Sequence, residues 1–159
     1  HGNSLRKGFG GMYEYSKPLL ESLSTIRNFI GMKEESSTLA HTIKNIPAGL
    51  EVIVAGGSMR RFWTLEPHGA TTFLSGVGSF NPEWEEAFYT AYFEDSKRAK
   101  DIMTKIETPL FNTFMKEGWH LSMRTALKSL GYIQNDRAPF HNPTLEQQEN
   151  IHQALSKII

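Results

Sequence analysis

Three short apolar runs separated by helical stretches constrain the fold of this chain more than anything else in it. They are Phe29-Ile30-Gly31-Met32, Val52-Ile53-Val54-Ala55 and Thr71-Thr72-Phe73-Leu74. None alternates polar with apolar residues as a half-wet strand would. The pattern therefore predicts strands of a parallel sheet, buried on both faces. Before the first run, residues 15–26 carry Leu19, Leu20, Leu23 and Ile26 at helical spacing, with Pro18 near the start. Helices are also expected over Leu39 to Lys44 and Phe62 to Glu66, with Arg60 and Arg61 facing solvent ahead of the latter. Helix and strand alternate three times, which is the signature of βα units.

Beyond Ser79 the pattern is helical throughout. Asn81-Pro82-Glu83 joins a capping side chain, a proline suited to a first turn and an acid favoured by the helix dipole. Trp84, Phe88 and Ala91 or Tyr92 then keep one apolar face. A second helix starts near Asp95, its stripe running through Ala99, Ile102, Met103, Ile106, Leu110 and Phe114, and Pro109 is expected to kink or end it. Met123, Ala126, Leu127 and Leu130 form a third stripe, stopped by Gly131. Thr144 with Gln147 makes a capping box ahead of Ile151, Ala154, Leu155 and Ile158. The expected division is residues 1–80 and residues 81–159. Three parallel strands leave two open edges and too little helix to cover both faces, whereas a closed barrel takes about eight strands. The 159 residues thus read as the back half of a larger α/β fold.

Composition removes several functions. Seventeen basic residues balance 17 acidic ones, so no clustered positive surplus argues for nucleic acid. The absence of cysteine excludes disulfides, zinc–thiolate sites, iron–sulfur clusters and a cysteine nucleophile, and fits a cytoplasmic protein. No apolar run approaches the roughly 20 residues of a membrane helix. The six histidines form neither HxH nor HExxH, so no metal site is predicted, and no GxSxG marks a serine nucleophile.

Lys33, which ends the first run and precedes Glu34 and Glu35, is the chief chemical candidate. Ligands collect at the carboxyl ends of parallel strands. An amine held there beside apolar walls loses ammonium solvation, and the free amine can attack a carbonyl. From its position alone, a solvated lysine with Glu34 and Glu35 as surface companions explains the residue better. Gly56-Gly57-Ser58 and Ser75-Gly76-Val77-Gly78-Ser79 come after the second and third runs, where glycines allow a ligand close to the backbone or simply make tight turns. Arg6, in a glycine-rich opening segment, offers a guanidinium that could clamp a carboxylate.

In order and spacing these segments resemble the dihydrodipicolinate synthase / N-acetylneuraminate lyase family of class I aldolases and dehydratases. Ile30-Gly31-Met32-Lys33-Glu34 looks like the family's Gly-x-Lys-(Glu/Asp) strand, and Val52-Ile53-Val54-Ala55-Gly56 is similar to the strand after it. Gly69-Ala70 through Phe73-Leu74-Ser75-Gly76, then Asn81-Pro82, looks like the last barrel strand. Gly118-Trp119-His120, Ala126-Leu127 and Arg137-Ala138-Pro139 resemble the C-terminal extension. The resemblance implies a (β/α)8 TIM barrel of which this chain holds about strands six to eight plus an all-helical extension, the partner being the missing N-terminal half. It implies a lyase in which Lys33 forms a covalent imine with pyruvate or a sugar-derived 2-oxo acid, with no metal or organic cofactor. His1 then falls at or just after the place of a proton-relaying tyrosine, and Arg6 matches an arginine that meets the second substrate. Gly56, Leu74 and Ser75 would face the oxo acid. A homo-oligomer, dimer or tetramer, is also implied. Two alternatives stay open: a non-catalytic barrel protein that binds a small carboxylate, and a fragment with a structural role alone.

Overall fold

The computed structural model describes residues 16–35, 38–46, 49–134 and 141–159, the side chains of His41 and Asn45 excepted. Helix α1, Lys17–Ser24, starts where the Ser16 hydroxyl accepts the Leu19 N–H at 3.4 Å and Pro18 occupies the first turn. Of its expected stripe only Leu20 is fully buried, clustering with Leu50 and with the partly buried Leu23, Phe29 and Met32. Leu19 and Ile26 lie exposed. The Phe29 N–H closes a turn onto the Ile26 carbonyl, so it is unavailable to a strand. Strand β1 consequently spans Gly31–Glu34, two residues later than the apolar run suggests, and Lys33 lies within it rather than at its end.

Helix α2, Leu39–Asn45, leads to β2, Glu51–Val54; α3, Ser58–Leu65, leads to β3, Thr72–Phe73. The three strands pair in parallel in the order β1-β2-β3, as the alternation predicts. Burial on both faces does not hold. In β2, Val52 and Val54 are buried while Glu51 and Ile53 are exposed. The reason is that α3 packs on one side of β2 and β3, with Phe62 against Phe73 at a ring separation of 5.3 Å. Helix α3 also begins four residues earlier than expected, because Gly57 takes a left-handed φ of 79° and turns the chain directly into it.

The chain forms two compact units that part between Leu74 and Ser75. In the second, the Asn81 side chain accepts the Glu83 N–H at 3.2 Å and α4 runs over Glu83–Glu94, burying Phe88 and Ala91. Asp95 caps α5, Ser96–Ile102. Pro109 neither breaks nor ends the helical run. A π turn over Met103–Glu107 precedes α6, Thr108–Glu117, and both the backbone N–H and the hydroxyl of Thr108 reach the Met103 carbonyl. The wider turn accommodates a ring that would otherwise meet the carbonyl four residues back.

Helix α7, Trp119–Ser129, buries Leu121, Ser122, Thr125 and Ala126, so that of the expected stripe only Ala126 is buried while Met123, Leu127 and Leu130 are partly exposed. Small hydroxyl side chains can face the core when the backbone satisfies them, and Ser122 reaches the Phe114 carbonyl at 3.5 Å. Gly131, at φ 76°, ends α7 as expected, with Gly131 N–H on Lys128 and Tyr132 N–H on Leu127. The capping box of Thr144 and Gln147 opens α8, Leu145–Leu155. Helices α6, α7 and α8 pack pairwise, and Asn150 donates to the Glu117 carboxylate at 2.9 Å. Among the described residues no helix is long and apolar enough to cross a membrane.

Candidate active site

Parallel pairing brings the carboxyl ends of β1, β2 and β3 to one edge of the sheet, and its register sorts their side chains by face. Lys33 pairs with Ile53, which pairs with Thr72; Glu34 pairs with Val54, which pairs with Phe73. Neighbouring rows point to opposite faces. The row of Lys33 lies on the face away from α3, where Ile53 is 36% exposed. The Lys33 side chain is 52% exposed, and its Nζ lies 3.2 Å from the Glu35 carboxylate. This ion pair stands where the sequence suggests apolar walls.

Glu34 behaves differently from the surface companion expected of it. Its side chain is only 6% exposed, in the row that faces α3, and Arg61 on α3 approaches it to 3.9 Å. Arg61 also donates to the Thr42 hydroxyl at 3.3 Å. Burial pulls the Arg61 guanidinium below its usual value, against the opposing pull of Glu34 and then Glu35. An arginine remains charged nonetheless. Arg61 is therefore a half-buried cation behind the strand ends, not a solvent-facing residue. Alternation places Glu34 opposite Lys33, and α3 starts early enough to bring Arg61 onto that side.

Gly56 follows β2 in a left-handed conformation, φ 77°. A Cβ there would lie 3.1 Å from the Glu35 Oε1 and 3.2 Å from its Cγ. Gly56 thus makes the space the Glu35 side chain occupies, and Glu35 joins Lys33 to the end of β2. Gly56→Ala is expected to cost about 1–2 kcal/mol through its backbone conformation alone, and to push Glu35 from Lys33. Urea unfolding checks the first effect; the second should appear as a changed rate of Lys33 modification by an amine-selective reagent.

Ser58, buried at the start of α3, donates its hydroxyl to the Leu74 carbonyl. The Leu74 N–H donates to the Val54 carbonyl at 2.8 Å, so both polar backbone groups of Leu74 take part in the fold while the residue lies 56% exposed. Ser75 opens the second unit, where its hydroxyl accepts the Val77 N–H at 3.1 Å. Lys33, Gly56 and Leu74 thus share the strand-end edge of the first unit. His1 and Arg6 lie outside the described residues. Glu35 accompanies Lys33 at the surface, as the solvated-lysine reading expects, whereas sequence reasoning missed Glu34 with Arg61 as a largely buried pair. Strict alternation along β1 was the signal for the latter.

A family model described as the dihydrodipicolinate synthetase family matches residues 16–158, nearly the whole chain. The chain belongs to this family. Solved structures similar in fold to this member include the dihydrodipicolinate synthases of Thermotoga maritima, Bacillus clausii and Aquifex aeolicus. The Thermotoga maritima protein is 18% identical with a TM-score of 0.73, and the match covers 87% of this chain and 50% of that one. For Bacillus clausii the values are 20% and 0.75, with 91% and 52% covered. For Aquifex aeolicus they are 19% and 0.78, with 91% and 50% covered. This family member thus spans about half the length of the solved structures it matches. A search of curated proteins finds no match.

Proposed function

We propose that this chain is the C-terminal half of a (β/α)8 barrel lyase that forms a Schiff base between Lys33 and pyruvate or a sugar-derived 2-oxo acid. Its β1, β2 and β3 would be barrel strands six to eight, residues 1–80 the barrel part and residues 81–159 the last barrel helix and the extension. The observation that carries this reading is Lys33 itself: a lysine in a Gly-Met-Lys-Glu strand, on the face away from the packed helix, in a member of this family. The exposed Ile53 and Leu74 support it too, since that face is the one a complete barrel would enclose.

The chemistry is that of a primary amine. The free amine adds to the ketone and water leaves, giving an iminium that draws electrons from the neighbouring carbon. A proton or a carbon–carbon bond there then breaks more easily. The resulting enamine adds to an aldehyde, expels water, or is reprotonated. Arg6 would position a carboxylate or hydroxyl, His1 would sit at the proton-relay position, and Gly56, Leu74 and Ser75 would flank the oxo acid. The imine needs no metal or organic cofactor. The complete protein would be a cytoplasmic homo-oligomer, completed by the N-terminal half of the barrel.

Exchange chemistry tests the reaction class. In deuterium oxide the full-length native protein should replace the methyl protons of pyruvate by deuterium, followed as loss of the methyl proton signal. Binding of pyruvate without exchange would instead favour a carboxylate-binding protein.

A further inference from the structure

We propose that Glu35 is a second catalytic group, the carboxylate that takes and returns the Nζ protons while Lys33 forms its imine. The inference rests on the Schiff-base reading of Lys33 and adds to it the group that moves the proton.

Three observations carry it. The Glu35 Oε2 lies 3.2 Å from Lys33 Nζ, within reach for direct proton transfer. Glu35 also packs closely over Gly56 just after the next strand, where an added Cβ would lie 3.1 Å from its Oε1 and 3.2 Å from its Cγ. Finally, the charge of Arg61, half-buried behind the strands, acts on Glu35 as well as on Glu34, so the carboxylate sits within an ordered set of charges. The 3.2 Å contact puts the Glu35 carboxylate beside Lys33, whereas alternation within β1 turns Glu34 to the opposite face, which separates the two acids by role.

The proton count balances. The Lys33 ammonium gives one proton to Glu35, leaving a neutral amine and a carboxylic acid. The amine lone pair forms the N–C bond, and the carbonyl π pair moves onto the oxygen. One further Nζ proton passes to that oxygen, giving the carbinolamine. Glu35 returns its proton to the hydroxyl, which departs with the C–O electron pair as water. The nitrogen lone pair closes the C=N bond. Ammonium and ketone have become iminium and water, and Glu35 is again a carboxylate.

The test uses the full-length native protein, pyruvate as the probe, and borohydride trapping followed in time at one fixed pH. The wild type should trap pyruvate on Lys33, and Glu35→Gln should do so about 100-fold more slowly, in line with a single proton-transfer group. Glu35→Ala should be equally slow and regain rate in proportion to added formate, a response that loss of packing cannot produce. Circular dichroism of both variants should match the wild type, as suits a side chain 43% exposed. Trapping at the wild-type rate in Glu35→Gln would overturn the role of Glu35 and leave that of Lys33 standing. Slow trapping in Glu35→Ala with no gain from formate would also overturn it. Absence of any adduct in the wild type would remove the Schiff-base reading itself, and this inference with it.

Discussion

Arg61→Ala should destabilise the protein by about 3–5 kcal/mol, the usual cost of removing one partner of a buried ion pair. Against a total stability of roughly 5–15 kcal/mol for a domain, that is a large share. The size of the effect comes from the group left behind. Glu34 is 6% exposed and shares its row with Val54 and Phe73, so its carboxylate would lose the Arg61 charge within a largely apolar layer. The Thr42 hydroxyl, itself buried, would lose the Arg61 donor as well. Two further variants distinguish this cause from lost packing. Arg61→Lys keeps the charge but not the forked donor and should recover only part of the loss. The double replacement Glu34→Leu with Arg61→Met removes both charges and should regain most of it, since an apolar pair of similar volume often matches a buried ion pair. Urea unfolding midpoints measure all three.

Lys33→Ala should do the reverse. With its side chain 52% exposed and an ion-pair partner that is also well exposed, Lys33 contributes no more than about 1 kcal/mol to folding. Under the Schiff-base reading, however, it carries the covalent step, and its loss should lower turnover by roughly 10⁴–10⁶-fold, as removal of a covalent nucleophile does elsewhere. Steady-state rates with pyruvate and an aldehyde acceptor, set beside an unchanged urea midpoint, check both halves of this expectation. Arg61 and Lys33 lie on opposite faces of the same short sheet. The first should govern whether it folds and the second whether it reacts.

Much of this arrangement is legible in the sequence, and the parts that are not share a physical cause. Parallel βα units follow from three apolar runs alternating with helical stripes, and the Gly131 stop and the Thr144–Gln147 capping box form as local chemistry requires. Local rules govern these features, so a local reading finds them. The exposed face of β2 is different. Val52-Ile53-Val54 has the same composition whether or not further strands cover Ile53, and coverage depends on chain elements far from it. Arg61 was misjudged because its partner is Glu34, 27 positions earlier by the difference of the two numbers, and only the sheet register brings them together. The face of α7 turned for a related reason: Ser122 and Thr125 are polar by composition yet small enough to be buried against neighbouring helices.

In the candidate site, Lys33 and Gly56 stand out through the ordered resemblance of their segments to the family, since position alone allows a solvated lysine and a tight turn. Glu35 does not, since a run of two glutamates before serines reads as a wet loop. Its significance comes from a distance, 3.2 Å to Nζ, and from the space above Gly56. Neither has any trace in composition or periodicity.

The central claim is that Lys33 becomes covalently bonded to a 2-oxo acid. The most direct measurement is to incubate the full-length native protein with pyruvate and borohydride, digest it, and locate the added mass among its lysine peptides. The account predicts one modified lysine, Lys33, and none in Lys33→Ala. An adduct on another lysine, or none where a dihydrodipicolinate synthase treated in parallel is modified, would contradict it.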